Sequence, residues 1–261
     1  MAKKMFRAYD IFGNIAVVKF QDKTSKRIKK LFAKKIMGDN KSITTVLEKT
    51  GKFSGRLRLM QTTYLDGEKT KEILYRENGC TFRFNIDTTY FSPRLSNERK
   101  EIPKLIKKNE KVFVGFAGVS PFSIVIAKNS KAKIVYSNEI NREANKYAKL
   151  NLDLNNVKEK VILVPGDIKK VVDKIKEKFD VIVMPRPQLK DSFLQAAFKL
   201  SKKGTRIYYY DFCRFDEVEK IIEKIKLEAK KSKVKIKILQ TKSAGEVAPY
   251  KIRVRVDFVV Q

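Results

Sequence analysis

Short apolar runs alternate with segments of helical period from residue 111 onward, and this alternation constrains the fold more than any other feature of the chain. The pattern predicts strands at 112–116, 133–137, 161–164, 179–184 and 205–210, and helices at 121–129, 141–155, 168–177, 190–201 and 215–231. Strands that alternate with helices in this way form a parallel sheet covered by helices on both faces.

Two further strands, predicted at 234–239 and 250–260, follow without a helical pattern between them. Two successive strands with no helix to return the chain form an antiparallel pair. An open α/β sheet that ends in such a pair resembles the layout of class I S-adenosylmethionine (SAM) methyltransferases, because a plain dinucleotide-binding fold would carry another helix here. The expected fold is a Rossmann-like α/β domain with a seven-stranded sheet and an antiparallel last strand.

The first hundred residues show a different, strand-rich pattern. It predicts a hairpin at 6–20, a basic amphipathic helix at 26–37, strands at 42–48 and 55–64, and a hairpin of 73–76 with 81–86. Period-two spacing would place Arg56 and Arg58 on one face of a strand. Arginines alternate with aromatic residues here, which suits RNA binding and equally suits an exposed sheet face. We predict a small α+β domain at 1–100 and an α/β domain at 101–261.

The charge balance limits the partners. The chain has 59 Lys and Arg against 29 Asp and Glu, a formal net charge of +30. Such a charge predicts a polyanionic partner, nucleic acid first and an anionic membrane surface second. No apolar run approaches the ~20 residues that span a bilayer, and no signal-peptide pattern opens the chain. We therefore expect a cytoplasmic protein that does not enter a membrane.

The chain contains no histidine and no tryptophan. The missing histidine excludes a Ser/His/Asp triad and most zinc chemistry, so proton transfer must use a carboxylate, Lys, Tyr, Cys or solvent. Cys80 and Cys213 lie far apart, without metal-ligand spacing. We expect two buried thiols and no metal site.

The stretch from Val112 to Phe122 has the order strand, tight turn, helix. Such a turn brings backbone N–H groups and a helix N-terminus to a ligand at the carboxyl edge of a sheet. Only two glycines, Gly115 and Gly118, stand in it, so a phosphate-cradling loop is a poor fit and an ordinary βα turn fits as well. The candidate cofactor-binding residues of this turn are Phe116, Ala117, Gly118, Val119, Pro121 and Phe122.

The next two predicted strands also end in polar residues. Glu139 follows the second strand at the place where Rossmann-like folds bind a ribose, although Asn141 nearby would cap the next helix. Asp167 follows the third strand and could accept a hydrogen bond from an adenine amino group, or cap its own helix. Three such loops at one sheet edge favour a SAM-type cofactor. The candidates here are Glu139, Ile140, Asn141, Gly166, Asp167 and Ile168.

The fourth strand runs through Met184 directly into Pro185-Arg186-Pro187. Two prolines with one residue between them fix an extended backbone and remove two N–H donors. At the end of this strand the motif would face the reacting edge of the sheet, and a merely stiff loop is the alternative. Met184 and Pro185 are candidate cofactor contacts, and Pro185 and Pro187 are candidate catalytic positions.

These motifs together resemble the archaeal and eukaryotic tRNA (guanine-37, ring nitrogen 1) methyltransferases along nearly the whole chain. The resemblance is carried by Tyr9–Val18, by Phe91-Ser92-Pro93-Arg94-Leu95-Ser96-Asn97-Glu98-Arg99 and by Phe116–Phe122. It implies SAM as cofactor, the anticodon loop of tRNA as partner, and a tRNA-recognition role for residues 1–100. It also implies a form that lacks the family's small N-terminal module for the outer corner of tRNA. We expect the protein to be a monomer.

Three positions depart from the family pattern. Gly115 stands where the first strand usually ends in Asp, Ser120 replaces the second glycine of the turn, and Pro185-Arg186-Pro187 replaces Asn-Leu-Pro. The Pro-x-Pro form resembles the wyosine-pathway branch. That resemblance implies phenylalanine tRNA as substrate, and methylation both of guanosine-37 and of carbon 7 of 4-demethylwyosine, which gives isowyosine.

The site roles follow from the missing histidine together with the resemblance. Glu98 is the candidate base for the proton on guanine ring nitrogen 1, although Glu98 and Arg99 could be a simple surface pair. Arg58, with Arg56 as the fallback, is the candidate cation for charge growing on the guanine carbonyl oxygen. Among the remaining candidates, Arg94 and Arg99 would meet phosphate or the SAM carboxylate. Tyr90 completes the cofactor-binding set.

Two other functions remain open at this point. A related wyosine enzyme uses SAM to transfer its aminocarboxypropyl group on a similar fold. Alternatively, Gly115 and Ser120 could mark a decayed cofactor site in a non-catalytic RNA-binding protein. Saturable SAM binding, and the identity of the group transferred to tRNA, would separate the three.

Overall fold

The computed structural model describes residues 9–51 and 55–261, which form two compact units, one ending at Pro93 and one spanning Arg94–Gln261. Residues 6–8 of the predicted first hairpin lie outside the described residues. The division falls after Pro93 rather than at residue 100, because the short helix α2 (Ser96–Glu101) is bonded within the second unit. Its Glu98 accepts hydrogen bonds from Tyr210 and Arg255.

The first unit is an α+β fold. Its elements are β1 (Asp10–Phe12), β2 (Ile15–Val18), α1 (Lys26–Asp39), β3 (Thr45–Lys49), β4 (Thr62–Gly67), β5 (Glu72–Glu77) and β6 (Cys80–Asn85). In its described residues, four strands form one sheet in the order β1-β2-β3-β4, and two more form the hairpin β5-β6. Helix α1 is the crossover between the parallel pair β2 and β3. Its Phe32, Ala33 and Ile36 pack on the sheet. Four of its lysines are exposed, whereas the fifth, Lys29, is half-buried and pairs with Glu48 at 2.6 Å.

The predicted strand at 55–64 is wrong in its first half. Residues 55–58 form a turn, closed by the Arg58 N–H donating to the Gly55 carbonyl at 3.2 Å, and β4 begins only at Thr62. Gly55 and Arg58 both have positive φ, of 66° and 52°, which no strand accommodates. Arg56 and Arg58 therefore do not share the face of a strand.

The second unit alternates strands and helices as predicted. Its elements after α2 are β7 (Lys111–Val114), α3 (Pro121–Asn129), β8 (Ile134–Glu139), α4 (Arg142–Leu154), β9 (Val161–Pro165), α5 (Ile168–Val171), β10 (Phe179–Met184), α6 (Leu194–Leu200), β11 (Ser201–Arg214), α7 (Val218–Lys231), β12 (Ile236–Ala248) and β13 (Lys251–Val260). Helix α6 starts later than predicted because the Asp191 and Ser192 side chains accept the Phe193 and Leu194 N–H groups and hold a turn before it.

Across the described residues of this unit, seven strands form one sheet in the order β12-β13-β11-β10-β7-β8-β9. The five strands from β11 to β9 are parallel, whereas β13 runs antiparallel to both β11 and β12. The predicted antiparallel pair and the predicted fold class are therefore confirmed. The strand order reverses at β7, and ligands of open α/β sheets bind at the carboxyl ends of the strands beside such a reversal.

Apolar residues on both faces of this sheet form the core. Phe113, Phe179, Ile182, Tyr209 and Phe258 are all fully buried. Burying a large apolar side chain contributes about 1.5–3 kcal/mol. The core therefore holds the sheet, and with it the positions of the loops at its edges.

The predicted burial of the two cysteines is confirmed. Cys80 and Cys213 are free thiols, and both are buried. Across residues 9–51 and 55–261, none of the helices is both long and apolar enough to cross a membrane.

Candidate active site at the carboxyl edge of the parallel sheet

The turn after β7 is bonded to the strands on both sides of it. The Gly115 N–H donates to the Val183 carbonyl of β10 at 3.0 Å, and the Ala117 N–H donates to the Asn138 carbonyl of β8 at 2.9 Å. Phe116, Gly118 and Ser120 have positive φ, of 54°, 58° and 67°. Three left-handed residues at alternate positions coil the backbone tightly before α3 begins at Pro121.

Ser120 occupies a backbone conformation that favours glycine. A left-handed conformation costs a non-glycine residue about 1–2 kcal/mol. The Ser120 hydroxyl lies 2.9 Å from the Ser137 hydroxyl, which also accepts a hydrogen bond from Ser123 at 2.7 Å. A net gain of about 0.5–1.5 kcal/mol per hydrogen bond offsets much of the strain. The buried serine cluster thus stabilises the left-handed conformation at the position where the family has glycine. The turn therefore keeps its coiled backbone.

Gly115 is tightly packed. A Cβ atom added there would lie 3.1 Å from Ile168 Cδ1 and 3.6 Å from the Phe113 ring. Any side chain at this position requires Ile168 to move by a few tenths of an ångström. At the position where the family pattern has Asp, the first turn of this chain therefore packs directly against α5.

Glu139 connects two loops of the edge. One carboxylate oxygen accepts the Gly118 N–H at 2.7 Å, and the other accepts the Asn141 N–H at 2.7 Å. The side chain is half-buried at the end of β8. Each carboxylate oxygen can accept more than one hydrogen bond, so Glu139 keeps the capacity to bind the hydroxyl groups of a ribose. Asn141 caps α4, with its side chain accepting the N–H groups of Glu143 and Ala144.

Asp167 caps α5, with its side chain accepting the Lys169 N–H at 3.1 Å. Its loop is joined to β8 by the Gly166 N–H, which donates to the Glu139 carbonyl at 2.8 Å. Sequence reasoning missed Asn138, which is buried and donates from its side chain to the carbonyls of Val164 and Gly166 at 2.8 and 2.9 Å. An amide placed one residue before a strand-end carboxylate was the only available signal.

The sheet thus brings together the predicted residues of the turn, of the β8 and β9 ends and of the β10 end. Pro185 and Pro187 are half-buried, and so are Phe116, Gly118, Glu139, Ile140, Gly166 and Asp167. The side chains of Ala117, Val119, Pro121, Phe122, Asn141, Ile168 and Met184 are buried. At these buried positions the fold offers a ligand mainly backbone groups.

Glu98 is buried and held by two donors. The Tyr210 hydroxyl donates to one of its oxygens at 2.8 Å, and Arg255 donates to the same oxygen at 2.7 Å. Burial, followed by the charge of Glu98, raises the pKa of Tyr210 well above its ordinary value, so the phenol stays a donor. Lys242 lies 3.8 Å from the other carboxylate oxygen. The surface-pair alternative for Glu98 is therefore wrong.

Arg255 is the centre of this cluster. Its guanidinium donates to both oxygens of Asp257, at 2.8 and 3.0 Å, and to Glu101 at 3.1 Å, besides Glu98. Burial opposes its charge, but the hydrogen bonds and negative charge of Asp257 raise the pKa of Arg255. The cluster fixes Glu98 in one orientation.

The remaining predicted arginines and Tyr90 are divided between the two units. Arg99 is buried, with its guanidinium 5.7 Å from the centre of the Phe122 ring. Arg94 is exposed and donates to the Glu246 carbonyl at 3.4 Å. In the first unit, the Arg58 guanidinium lies 5.4 Å from the centre of the Tyr90 ring, and Arg56 is exposed.

The Pro185-Arg186-Pro187 loop begins beside the first turn, since Val183 is bonded to Gly115. It is followed by Phe193, whose ring packs edge-on against Phe116 at 5.0 Å. Arg186 occupies the variable position of the Pro-x-Pro motif, yet it is buried and forms an ion pair with Asp211 at 2.7 Å. A charged residue between two prolines was the signal for an anchoring role. Within the described residues, no cluster of three or more potential metal ligands occurs.

The strand order, the antiparallel β13 and the loops at the carboxyl edge define a class I methyltransferase fold. The family model for the TRM5/TYW2 methyltransferase domain matches residues 73–237, well over half of the chain. The chain therefore belongs to the TRM5/TYW2 methyltransferase family.

Two curated relatives match along most of their length. Trm5b of Pyrococcus abyssi, a tRNA (guanine(37)-N(1))-methyltransferase, is 34% identical over 254 residues, which are 97% of this chain and 74% of the relative. Taw22 of Nanoarchaeum equitans, a tRNA (guanine(37)-N(1))/4-demethylwyosine(37)-methyltransferase, is 31% identical over 300 residues, covering 96% and 98%.

Solved structures agree with this assignment. The crystal structure of Trm5b from Pyrococcus abyssi superposes with a TM-score of 0.86 at 33% identity, covering 97% of this chain and 75% of the other. A complex of aTrm5 with tRNALeu superposes with a TM-score of 0.83 at 27% identity, covering 97% and 72%.

Proposed function

We propose that this protein transfers a methyl group from SAM to the nucleoside at position 37 of tRNA. The proposed targets are ring nitrogen 1 of guanosine and carbon 7 of 4-demethylwyosine, both in phenylalanine tRNA. The similarity to Taw22, whose name includes both activities and of which 98% is covered, supports the dual assignment. The Pro185-Arg186-Pro187 motif, which resembles the wyosine-pathway branch, supports it independently.

The residues at the sheet edge fit SAM. Glu139 offers fixed carboxylate oxygens to ribose hydroxyls, Asp167 offers an acceptor to the adenine amino group, and the Phe116–Ser120 turn offers backbone groups. When bound, SAM supplies an electrophilic methyl group on a sulfonium sulfur. The protein must then position the acceptor in line with that methyl group and exclude water.

The observation that carries the proposal is the buried, two-donor environment of Glu98. The proton on guanine ring nitrogen 1 must leave as the nitrogen–carbon bond forms, and this chain has no histidine to take it. Glu98 is a carboxylate held in one orientation by Arg255 and Tyr210. We assign Glu98 as the general base that accepts this proton. We assign Pro185 and Pro187 as the residues that orient the nucleobase to be methylated.

The first unit and the overall charge support tRNA as the substrate. A net charge of +30 favours phosphate contacts, and the four exposed lysines of α1 (Lys26, Lys30, Lys34 and Lys35) are candidates for them. We assign residues 1–93 to tRNA recognition, with Arg58 as the candidate cation for the guanine carbonyl oxygen and Tyr90, Arg94 and Arg99 as candidate ligand contacts. We further propose that the protein acts in the cytoplasm as a monomer.

The deciding experiment is mass spectrometry of nucleosides from phenylalanine tRNA incubated with the protein and SAM. Two tRNA samples are used, one unmodified at position 37 and one carrying 4-demethylwyosine. We expect 1-methylguanosine from the first and isowyosine from the second. A product carrying an aminocarboxypropyl group would establish the other transferase activity. No saturable SAM binding would refute both enzyme functions and leave a non-catalytic RNA-binding protein.

A salt titration of tRNA binding tests the charge argument separately. The logarithm of affinity should fall linearly and steeply with the logarithm of salt concentration, because phosphate contacts release counterions. A flat response would contradict a phosphate-dominated interface.

A further inference from the structure

Arg186 uses its whole guanidinium to join the loop that follows β10 to strand β11. It donates from Nε to the Tyr209 hydroxyl at 2.8 Å, from Nη1 to the Pro187 and Leu189 carbonyls at 2.7 and 3.3 Å, and from Nη2 to the Leu189 carbonyl at 3.3 Å and to Asp211 at 2.7 Å. A guanidinium has five N–H donors. Within the described residues, these bonds match all five.

Asp211 and Tyr209 fix the other side of this arrangement. One Asp211 oxygen accepts from Arg186 and from the Phe212 N–H at 2.8 Å, and the other accepts from Tyr209 at 3.1 Å and Lys224 at 3.2 Å. Burial raises the pKa of Tyr209, which keeps its proton and closes a triangle of side chains. Both residues belong to β11, the strand next to β10.

Two carbonyls of the loop are therefore held by one side chain that is anchored on a neighbouring strand. The prolines on either side of Arg186 limit the backbone further. The Arg186 and Asp211 side chains are only 1% and 5% exposed. A buried ion pair is a costly way to stabilise a loop, and apolar residues of similar volume often do as well. We therefore attribute the Arg186–Asp211 pair to the selection of one loop conformation rather than to stability.

The loop lies where conformation matters for the reaction. It starts beside Gly115 of the first turn and leads to Phe193, which packs on Phe116 of the same turn. Val183 precedes the Pro185–Leu189 loop and Phe193 follows it, so the residues that flank the loop on both sides contact the proposed cofactor turn. A displacement of about 1 Å in a substrate-positioning element can reduce a rate by about 10²-fold.

We propose that Arg186, through Tyr209 and Asp211, is a positioning residue that sets the Pro185–Leu189 loop in the conformation that aligns and selects the acceptor base. This inference rests on the proposed function. Arg186 acts through the loop backbone rather than by touching the base. Its action should therefore appear in the transfer rate and in the choice of acceptor, and not in the affinity for SAM.

The test compares wild-type protein with Arg186→Lys, Tyr209→Phe and the control Arg214→Lys. Lysine keeps the charge but cannot form the forked contacts. Tyr209→Phe removes a single hydroxyl and is the second variant if Arg186→Lys does not fold. Arg214 is exposed and pairs with Asp216 at the end of β11, the strand that carries Tyr209 and Asp211. Single-turnover rates are measured on both phenylalanine tRNA samples, together with the Kd of SAM.

We expect Arg186→Lys to lower the transfer rate by about 10- to 100-fold and to change the ratio of the two rates, with the Kd of SAM unchanged. Tyr209→Phe should change both quantities in the same direction by less, and Arg214→Lys should match the wild type. Wild-type rates and ratio in both Arg186→Lys and Tyr209→Phe, or a loss that follows SAM affinity, would overturn the inference alone. A wild-type protein inactive on both tRNAs would refute the proposed function and this inference together.

Discussion

The two halves of the carboxyl edge are built in different ways. One half, which we call the turn half, comprises the loops after β7, β8 and β9 (residues 115–120, 139–141 and 166–168). There, backbone N–H groups and carbonyls make most of the contacts between loops. The other half, which we call the ion-pair half, comprises the loop after β10, Glu98 and their partners on β11 and β13. There, buried charged side chains make the contacts.

This difference matches the two tasks of the proposed reaction. A cofactor present in every turnover can be bound by a rigid backbone surface with few carboxylates. Removing a proton from a base requires an oriented ionisable group whose charge is balanced nearby. The comparison predicts that side-chain substitutions have large effects in the ion-pair half and small ones in the turn half.

The largest effect is expected for Glu98→Ala. Loss of a general base costs about 10²- to 10⁴-fold in rate, and the cofactor turn is untouched. Single-turnover methyl transfer to guanosine-37 should fall by this factor while SAM affinity stays as in the wild type. Glu98→Gln, which keeps the shape and the acceptor oxygen, is the matched control for packing. Equal rates in wild type and Glu98→Ala would exclude Glu98 as the base.

Arg255→Met should give the largest loss of stability. It leaves the buried carboxylates of Glu98 and Asp257 without their guanidinium, and breaking a buried pair in this way costs about 3–5 kcal/mol. The free energy of unfolding in urea measures it. Arg214→Met, which breaks an exposed pair with Asp216, should cost only about 0–1 kcal/mol. Similar losses in the two variants would contradict the contrast between buried and exposed pairs.

In the turn half, Ser120 offers a smaller test with two substitutions of different expected size. Ser120→Gly relieves the left-handed strain but loses the bond to Ser137, so stability should change by less than about 1 kcal/mol. Ser120→Val cannot accept this φ or form the bond, and should destabilise by about 1–3 kcal/mol. Thermal unfolding of both variants measures the difference. A tolerated Ser120→Val would show that the turn is not held in this conformation.

The smallest effect concerns Glu101 at the rim of the ion-pair half. Burial opposes its ionisation, but hydrogen bonds from Lys242 and Arg255 lower the pKa of Glu101 below its ordinary value of 4.5. A carboxyl with a lowered pKa in the folded state stabilises the fold above 4.5, and this contribution disappears as the pH falls through the lowered pKa. Glu101→Gln should therefore be less stable than wild type at neutral pH, by under about 1 kcal/mol.

Urea unfolding between pH 7 and pH 3 tests this sign. The gap between wild type and Glu101→Gln should stay constant down to about pH 5 and then shrink as wild-type Glu101 takes up its proton. A gap that grew on acidification would mean that the pKa of Glu101 is raised in the folded protein.

The turn half could largely be predicted from the sequence, and the ion-pair half could not. Gly118 and Glu139 are 21 residues apart, and two strand patterns suffice to bring their loops to one edge. Glu98 is 112 residues from Tyr210 and 157 from Arg255, and no local pattern links them. Arg186 was visible as a residue between two prolines, but its partners belong to another strand. The strand assigned to residues 55–64 failed because a turn at Gly55 overrides the alternating pattern.

The order of strands and helices, the reversed last strand and the polar residues at the strand ends were determined by the sequence alone. Period-two and period-3.6 patterns set which residues are buried, and parallel strands place their carboxyl ends together. The tertiary structure alone decided that Glu98 is buried beside Arg255, that Ser120 is left-handed above a serine cluster, and that Arg186 holds its loop. Each of these depends on side chains of different elements, whose pairing is settled only when the sheet packs and water is removed.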